Sequence, residues 1–84
     1  MEETVARNPV ADHELELRFK HHAPFGTQPE RYALIRSLAK DMAIAIQNMT
    51  PPSREQSLAF TALEECVMWA NASIARRETK GGGA

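Results

Sequence analysis

Apolar residues in the second half of the chain recur at the spacing of an amphipathic helix. The stripe follows alternating steps of three and four residues: Phe60, Leu63, Val67, Ala70 and Ile74. Ser53 with Gln56 three residues later forms a capping box at its start, so we predict a helix over residues 53–77. Further apolar residues lie off this stripe and require another partner: Leu58, Ala62, Cys66, Met68 and Trp69.

A second amphipathic pattern precedes it and predicts a helix over residues 29–49. Its apolar residues also recur at steps of three and four: Ile35, Leu38, Met42, Ala45, Ile46 and Met49. Pro29 suits the first turn of this helix, with Thr27 or Gln28 as the cap. Only a few residues, two of them prolines, separate the two patterns. So short a connection makes the helices antiparallel neighbours.

Residues 14–21 alternate between polar and apolar positions, with Leu15, Leu17 and Phe19 on one side. This alternation predicts a short N-terminal strand or extended arm. No second strand is evident, so the segment would pair with another copy of the chain or pack as an arm. Pro24 and Gly26 indicate a loop over residues 22–28. Residues 1–12 and 78–84 have the composition of flexible ends.

The fold class that follows is mainly α. We predict one domain, residues 13–77, in which an antiparallel two-helix hairpin carries the N-terminal strand or arm. A chain of 84 residues buries too little surface for a robust core of its own. Its single cysteine, Cys66, excludes a disulfide framework. The unused apolar surface therefore predicts a homo-oligomer.

The formal net charge of -1 conceals a basic segment. Between Arg18 and Lys40 there are five Lys and Arg residues against the single acid Glu30, a local balance of +4. A basic field in an otherwise neutral to acidic chain suits a compact anionic ligand better than a long duplex. An ordinary solvated charged face is the alternative interpretation.

No catalytic constellation is evident in the sequence. His21 and His22 are adjacent in a segment predicted as extended, so their side chains would diverge. Glu64 and Glu65 lie about 100° apart on a helix, a poor geometry for a carboxylate pair. Cys66 has no identifiable base and suits a packing role. We predict no enzyme, no metal site and no cofactor.

The ends of the chain bear on its location. The N-terminus is acidic and polar, where a secretory signal would be basic and then apolar. No apolar run approaches the roughly 20 residues that a membrane span needs. We therefore expect a soluble, cytosolic chain without a membrane partner.

Two groups of residues are candidates for binding. The first group is the loop before the first helix, which could receive an anion at the helix N-terminus. The second is a row at steps of four, Tyr32, Arg36 and Lys40, which could stack on a base beside a phosphate. An ordinary capped loop and a solvated face are the alternatives. In the second helix, Trp69 and Arg76 are seven residues apart and share a side. Packing is the more common use of such a tryptophan.

Two segments, RFKHHAPFGTQPERYALIRSLAK and PPSREQSLAFTALEECVMWANASIAR, resemble the helical-hairpin domain shared by phage anti-CBASS and Thoeris anti-defence sponge proteins. The resemblance covers roughly residues 18–76. It implies a non-enzymatic protein of the host cytoplasm that sequesters cyclic di- or trinucleotides or cyclic ADP-ribose isomers. It also implies a homo-oligomer, commonly a hexamer, with pockets shared between subunits.

The resemblance further implies which residue types contact the ligand, namely aromatic and basic side chains with neighbouring polar groups. The residues that fit this description are His22, Phe25, Thr27, Gln28, Tyr32, Arg36, Lys40, Arg54, Asn71 and Arg76. Met68 and Trp69 are predicted to contact another subunit. The alternative function is an oligomeric assembly or nucleic-acid-binding module, although the charge balance does not favour a polymeric nucleic acid.

Overall fold

The computed structural model describes residues 9–79, which form three helices: α1 (Pro9–Phe19), α2 (Gln28–Met49) and α3 (Arg54–Arg77). Helices α2 and α3 form the predicted hairpin. Their antiparallel order is evident at its open end, where the first residue of α2, Gln28, bonds to Ile74 near the end of α3. Residues 1–8 and 80–84 of the predicted flexible ends lie outside the described part of the chain.

The turn before α2 depends on a glycine. Gly26 adopts a φ of 58°, in the left-handed region that strains other residues. The turn closes with a 3.0 Å bond from the Gln28 backbone N–H to the Phe25 carbonyl. Thr27 is the N-cap residue, but its side chain makes no capping bond to the backbone. Pro29 lies in the first turn, where its missing N–H is no loss.

The turn between α2 and α3 confirms half of the predicted capping box. The Ser53 hydroxyl oxygen accepts a 3.1 Å bond from the Gln56 backbone N–H, as predicted. The Gln56 side chain does not return to Ser53. Its Nε2 donates instead to the carbonyl and hydroxyl oxygens of Thr50, at 3.1 and 3.0 Å. Gln56 therefore joins the start of α3 to the end of α2.

The seam between α2 and α3 contains the whole predicted α3 stripe, whose five residues are all half-buried. The α2 side differs from the prediction. Ile35 and Ile46 line the seam with the intervening Ala39 and Ala43. Of the other residues of the predicted α2 stripe, Ala45 is half-buried, whereas three are more than half exposed: Leu38, Met42 and Met49. The predicted stripe thus combined two adjacent faces of α2, because both repeat at steps of three and four.

Within residues 9–79 no hydrophobic side chain is fully buried. The helices lie in one layer, since the molecule measures 55 × 38 × 16 Å and a helix with its side chains is about 10–12 Å across. A radius of gyration of 18.1 Å far exceeds the roughly 12 Å of a compact chain of this length. Residues 9–79 of the single chain therefore have a seam but no enclosed core.

Most exposed apolar residues of the hairpin fall on one face, whereas Ile44 and Met68 lie outside it. The residues of this face are Leu34, Leu38, Met42 and Met49 on α2, and Leu58, Ala62, Cys66 and Trp69 on α3. At about 100° per residue around the helix axis, the apolar row of each helix lies roughly 100–125° from its seam residues. The rotation has the same sense on both helices. Antiparallel pairing then places both rows on the same side. We call this surface the apolar face.

The predicted N-terminal strand or arm over residues 14–21 is wrong, because residues 9–19 form helix α1. An isolated strand would leave its backbone groups unpaired, whereas a helix satisfies them internally. The segment also contains good helix formers, an acid in the first turn (Asp12) and an i,i+4 ion pair between Glu14 and Arg18. In this helix Leu17 is half-buried, whereas Leu15 and Phe19 are exposed.

Candidate functional site

A groove forms where the end of α1 packs on the last turns of α3. It encloses about 450 Å³ and is lined by Arg18, Phe19, Trp69, Ala72, Ser73, Arg76 and Arg77. Steps of three and four bring Trp69, Ser73 and Arg76 to one side of α3. Arg18 and Phe19 lie at the C-terminal end of α1 and complete the opposite wall. We call this the arginine groove.

Three guanidinium groups line the arginine groove, and a neighbouring carboxylate holds two of them. Glu14 accepts two bonds from Arg77, at 2.9 and 2.7 Å, and one of 2.9 Å from Arg18. These bonds, first from Arg77 and then from Arg18, lower the pKa of the Glu14 carboxyl from 4.5 to about 2. Arg76 makes no hydrogen bond or ion pair with any described residue, so its charge faces the groove unneutralised.

Two aromatic rings accompany these cations. Phe19 is 82% exposed and Trp69 is 65% exposed, which is unusual for side chains of this size. Exposed aromatic faces stack on nucleobases, and arginine forms bidentate bonds to phosphate. The lining contains no histidine, cysteine or carboxylate that could act as a nucleophile or base. The groove is therefore chemically suited to binding a nucleotide.

A second polar network joins the start of α2 to the end of α3. Arg31 forms a bidentate ion pair with Glu78, at 2.5 and 2.7 Å. Gln28 donates to Glu78 and to the Ile74 carbonyl, and its Oε1 accepts the Phe25 backbone N–H. Bonds from Arg31, then Gln28, lower the pKa of the Glu78 carboxyl to about 2. We call this group the end clamp.

The end clamp changes two expectations from the sequence. Gln28 is only 2% exposed and its amide is fully bonded, so it is unavailable to a ligand in this arrangement. The sequence predicts Glu78 in a flexible tail, yet two side chains at the start of α2 hold it in place. Its carboxylate also neutralises Arg31, the first cation of α2.

The candidate residues of the loop have structural partners as well. His22 Nε2 donates to the Leu17 carbonyl at 2.6 Å and so caps the end of α1. The Thr27 hydroxyl accepts from Arg31 Nε at 3.0 Å, and Phe25 is half-buried. The α2 N-terminus offers few free donors, because the Gln28 N–H is bonded and Pro29 has none. The structure thus gives little support for an anion site in this loop.

The remaining cationic candidates do not reach the arginine groove. Arg54 and Arg76 are 22 residues apart on α3, about 33 Å, so one small ligand cannot bridge them within a chain. Lys40 is 12 residues into α2, about 18 Å from the open end of the hairpin. Arg36 and Lys40 are exposed without ion pairs to described residues, and Tyr32 is half-buried.

Asn71 and Met68 lie on the side of α3 away from Trp69. By helical periodicity they project, with Arg36 and Lys40, from the face opposite the apolar face. The Asn71 Oδ1 is buried with no hydrogen-bond partner, the one such side-chain atom among residues 9–79. Met68 is 60% exposed. The predicted site residues are therefore divided between two faces of the hairpin.

Neither a metal site nor a membrane helix is present in the described chain. Residues 9–79 contain no group of three or more His, Cys, Asp or Glu side chains placed to hold a metal ion. None of the helices α1 to α3 combines the length and apolar character needed to cross a membrane.

Comparison with known protein families decides the relationship of this chain. The family model described as the Acb2/Tad1 hairpin domain matches residues 11–75, which is most of the chain. The chain belongs to the Acb2/Tad1 hairpin family. This is the domain of anti-CBASS and anti-Thoeris sponge proteins, a family of binding proteins rather than enzymes. Comparison with curated proteins and with solved structures gives no match.

Sequence reasoning identified part of the arginine groove and missed the rest. It placed Trp69 and Arg76 on one side of α3, as the structure does. It did not include Arg18 and Phe19, because a strand would have directed them to opposite sides. The available signal was the Glu14 and Arg18 pair at the i,i+4 spacing of a helix.

Proposed function

We propose that this chain is an anti-defence sponge that binds cyclic nucleotide immune signals and releases them intact. The ligand class is a cyclic di- or trinucleotide, or a cyclic ADP-ribose isomer. Membership of the Acb2/Tad1 hairpin family supports a binding function of this kind. A sponge acts by mass action, so its affinity must be in the nanomolar range, about -12 kcal/mol.

The observation that carries the proposal is the juxtaposition of Trp69 and Arg76 in the arginine groove. An exposed indole face and an unpaired guanidinium are the two groups that a nucleotide needs for its base and its phosphate. The lining contains no histidine, cysteine or carboxylate, and this composition favours binding over cleavage.

The proposed active form is a homo-oligomer, most simply the hexamer that the resemblance implied. The described chain encloses no hydrophobic core, while its apolar face presents large side chains from both hairpin helices. Burial of that face against further copies would supply the missing core. The same packing would cover the open side of the arginine groove and give pockets shared between subunits, because Trp69 belongs to both surfaces.

The direct test is ligand release. The purified protein is incubated with a panel of cyclic dinucleotides, cyclic trinucleotides and cyclic ADP-ribose isomers, then washed, denatured and analysed by mass spectrometry. Recovery of an intact cyclic compound is the expected result. Recovery of a linear product would make the protein an enzyme, and recovery of nothing would refute the sponge.

The site itself is tested by Arg76→Ala. Loss of one charge-assisted bond to phosphate is expected to weaken binding of the recovered ligand roughly tenfold to a hundredfold by calorimetry. Arg54→Ala is the control, because it removes an arginine charge from the opposite end of α3, where the side chain is exposed. Equal losses in the two variants would mean that the arginine groove is not the site.

Salt dependence distinguishes the proposed sponge from the alternative function, a module that binds polymeric nucleic acid. A polymer binder loses affinity steeply with salt in proportion to the phosphates that it contacts. A groove that contacts one or two phosphates is expected to give a shallow slope. A steep slope with single-stranded RNA or DNA, together with no cyclic ligand, would favour the polymer binder.

A further inference from the structure

Glu14 lies beside the lining of the arginine groove and bonds to two of its three arginines. Its two oxygens face Arg77 in a bidentate pair, and Oε2 also accepts from Arg18. Both arginines line the arginine groove. A phosphate presents oxygens at a spacing that suits the same guanidinium fork. The carboxylate therefore occupies donors that an anion entering the groove would need.

We propose that Glu14 is a specificity-determining residue of the arginine groove, whose carboxylate must be displaced from Arg18 and Arg77 by the incoming anion. This inference rests on the proposed function, because it concerns the same groove. Arg76 pairs with no described residue and offers the first contact, and a second phosphate can then exchange with Glu14. The groove thereby favours ligands with two or more phosphate groups over those with one.

The contact is open to exchange. The Arg77 and Glu14 side chains are 51% and 31% exposed, and Arg18 is 54% exposed, so water can reach all three groups. Ion pairs at such exposure are weak and readily replaced. Release of the carboxylate does not leave a charge buried, because Glu14 is free to move into solvent.

The test measures binding of inorganic pyrophosphate and inorganic orthophosphate by calorimetry at low salt and pH 7.5. Glu14→Gln removes the competing charge, and Glu16→Gln on the same helix is the matched control because Glu16 is exposed without an ion pair to a described residue. Glu14→Gln is expected to bind both anions about twofold to fivefold tighter than the unmodified protein. Glu16→Gln is expected to leave both affinities unchanged.

The ratio between the two anions gives a second readout. The unmodified protein is expected to prefer pyrophosphate, and Glu14→Gln is expected to reduce that preference, because one phosphate then suffices to engage Arg18 and Arg77. Affinities in Glu14→Gln that are unchanged or weaker would overturn the proposal, since they would mean that Glu14 only anchors α1 to α3.

Circular dichroism first establishes whether Glu14→Gln retains its helices. If it does not, Glu14→Asp provides the comparison, because a shorter carboxylate keeps the charge but spans the two guanidinium groups less well. Pyrophosphate is then expected to bind Glu14→Asp tighter than it binds the unmodified protein, and weaker binding would overturn the proposal. One combined outcome separates the two proposals. If no compound of the cyclic nucleotide panel is recovered but the Glu14 variant binds pyrophosphate tighter, the sponge function is refuted and the role of Glu14 stands.

Discussion

At the scale of single residues, local hydrogen bonds and backbone angles determine where the helices begin. Ser53 accepts a bond from the Gln56 N–H, and Gly26 supplies the left-handed turn before α2. Both features come from residues close in the sequence. Their energetic contributions can therefore be measured one substitution at a time.

Ser53→Ala is expected to lower the free energy of unfolding by about 1 kcal/mol, because the first turn of α3 loses its side-chain acceptor. Urea denaturation at a fixed protein concentration measures the change. Ser57→Ala is the control, since the Ser57 side chain is exposed and makes no hydrogen bond to a described residue. An equal loss in both variants would contradict the capping role.

Gly26→Ala is expected to lower the free energy of unfolding by about 1 kcal/mol, because φ at this position is 58°. Space is not the cause, as a Cβ at Gly26 would meet no atom within 4 Å. Urea denaturation measures the change in Gly26→Ala. The control is Ala23→Gly, the reverse exchange at an exposed position in the same loop. A Gly26→Ala variant as stable as the unmodified protein would contradict this account.

At the scale of elements, ion pairs join helix ends that are far apart in the chain. The end clamp connects Arg31 at the start of α2 with Glu78 just after α3. Glu14 connects α1 to Arg77 near the end of α3. These contacts also explain why the pKa of each carboxyl is lowered to about 2 and the pKa of each bidentate arginine is raised.

These pKa values predict the effect of acid on stability. A carboxyl whose pKa is lower in the folded state stabilises the fold fully above its ordinary pKa of 4.5. That stabilisation is lost as the pH falls from 4.5 to about 2, because folding then requires release of a proton. The urea midpoint is therefore expected to be level near pH 6 and to fall steadily below pH 4.5.

Glu78→Gln tests the contribution of the end clamp. Its urea midpoint is expected to be below that of the unmodified protein at pH 6 and closer to it at pH 3, where the clamp is already weakened. Glu65→Gln, an exposed position on α3 without an ion pair to a described residue, is the control. The same decrease at pH 6 and pH 3 would show that the effect of Glu78 is not electrostatic.

At the scale of the whole molecule, the single layer of helices leaves the apolar face uncovered. Leu38 at 59% exposure and Met42 at 55% lie near its middle, and Trp69 at 65% lies where it meets the arginine groove. Surfaces of this extent are uncommon on monomeric proteins. The apolar face is thus the surface on which the proposed oligomer depends.

Leu38→Glu is expected to shift the sedimentation profile towards the monomer, because a charge at the middle of the apolar face opposes its burial. Gln47→Glu adds the same charge to the opposite side of α2 and is expected to leave the profile unchanged. A Leu38→Glu profile that matches that of Gln47→Glu would exclude the apolar face as the interface.

The hairpin was predictable from the sequence because its signals are local. The α3 stripe from Phe60 to Ile74 is regular, and the short connection at Pro51 and Pro52 forces the two helices together. The α2 stripe was predicted less well. Apolar rows on two adjacent faces of one helix have the same spacing, so only the position of α3 distinguishes Ile35 in the seam from Leu38 outside it.

The sequence by itself determined the two long helices, their antiparallel pairing and the surplus of apolar surface, since each follows from residue spacing. Only the tertiary structure decided that α1 is a helix and that Arg18 and Phe19 join Trp69 and Arg76 in one groove. It also decided that Gln28 is a buried link and Glu78 its partner. The physical reason is separation along the chain: Glu14 and Arg77 are 63 residues apart, and no local pattern records such a pair.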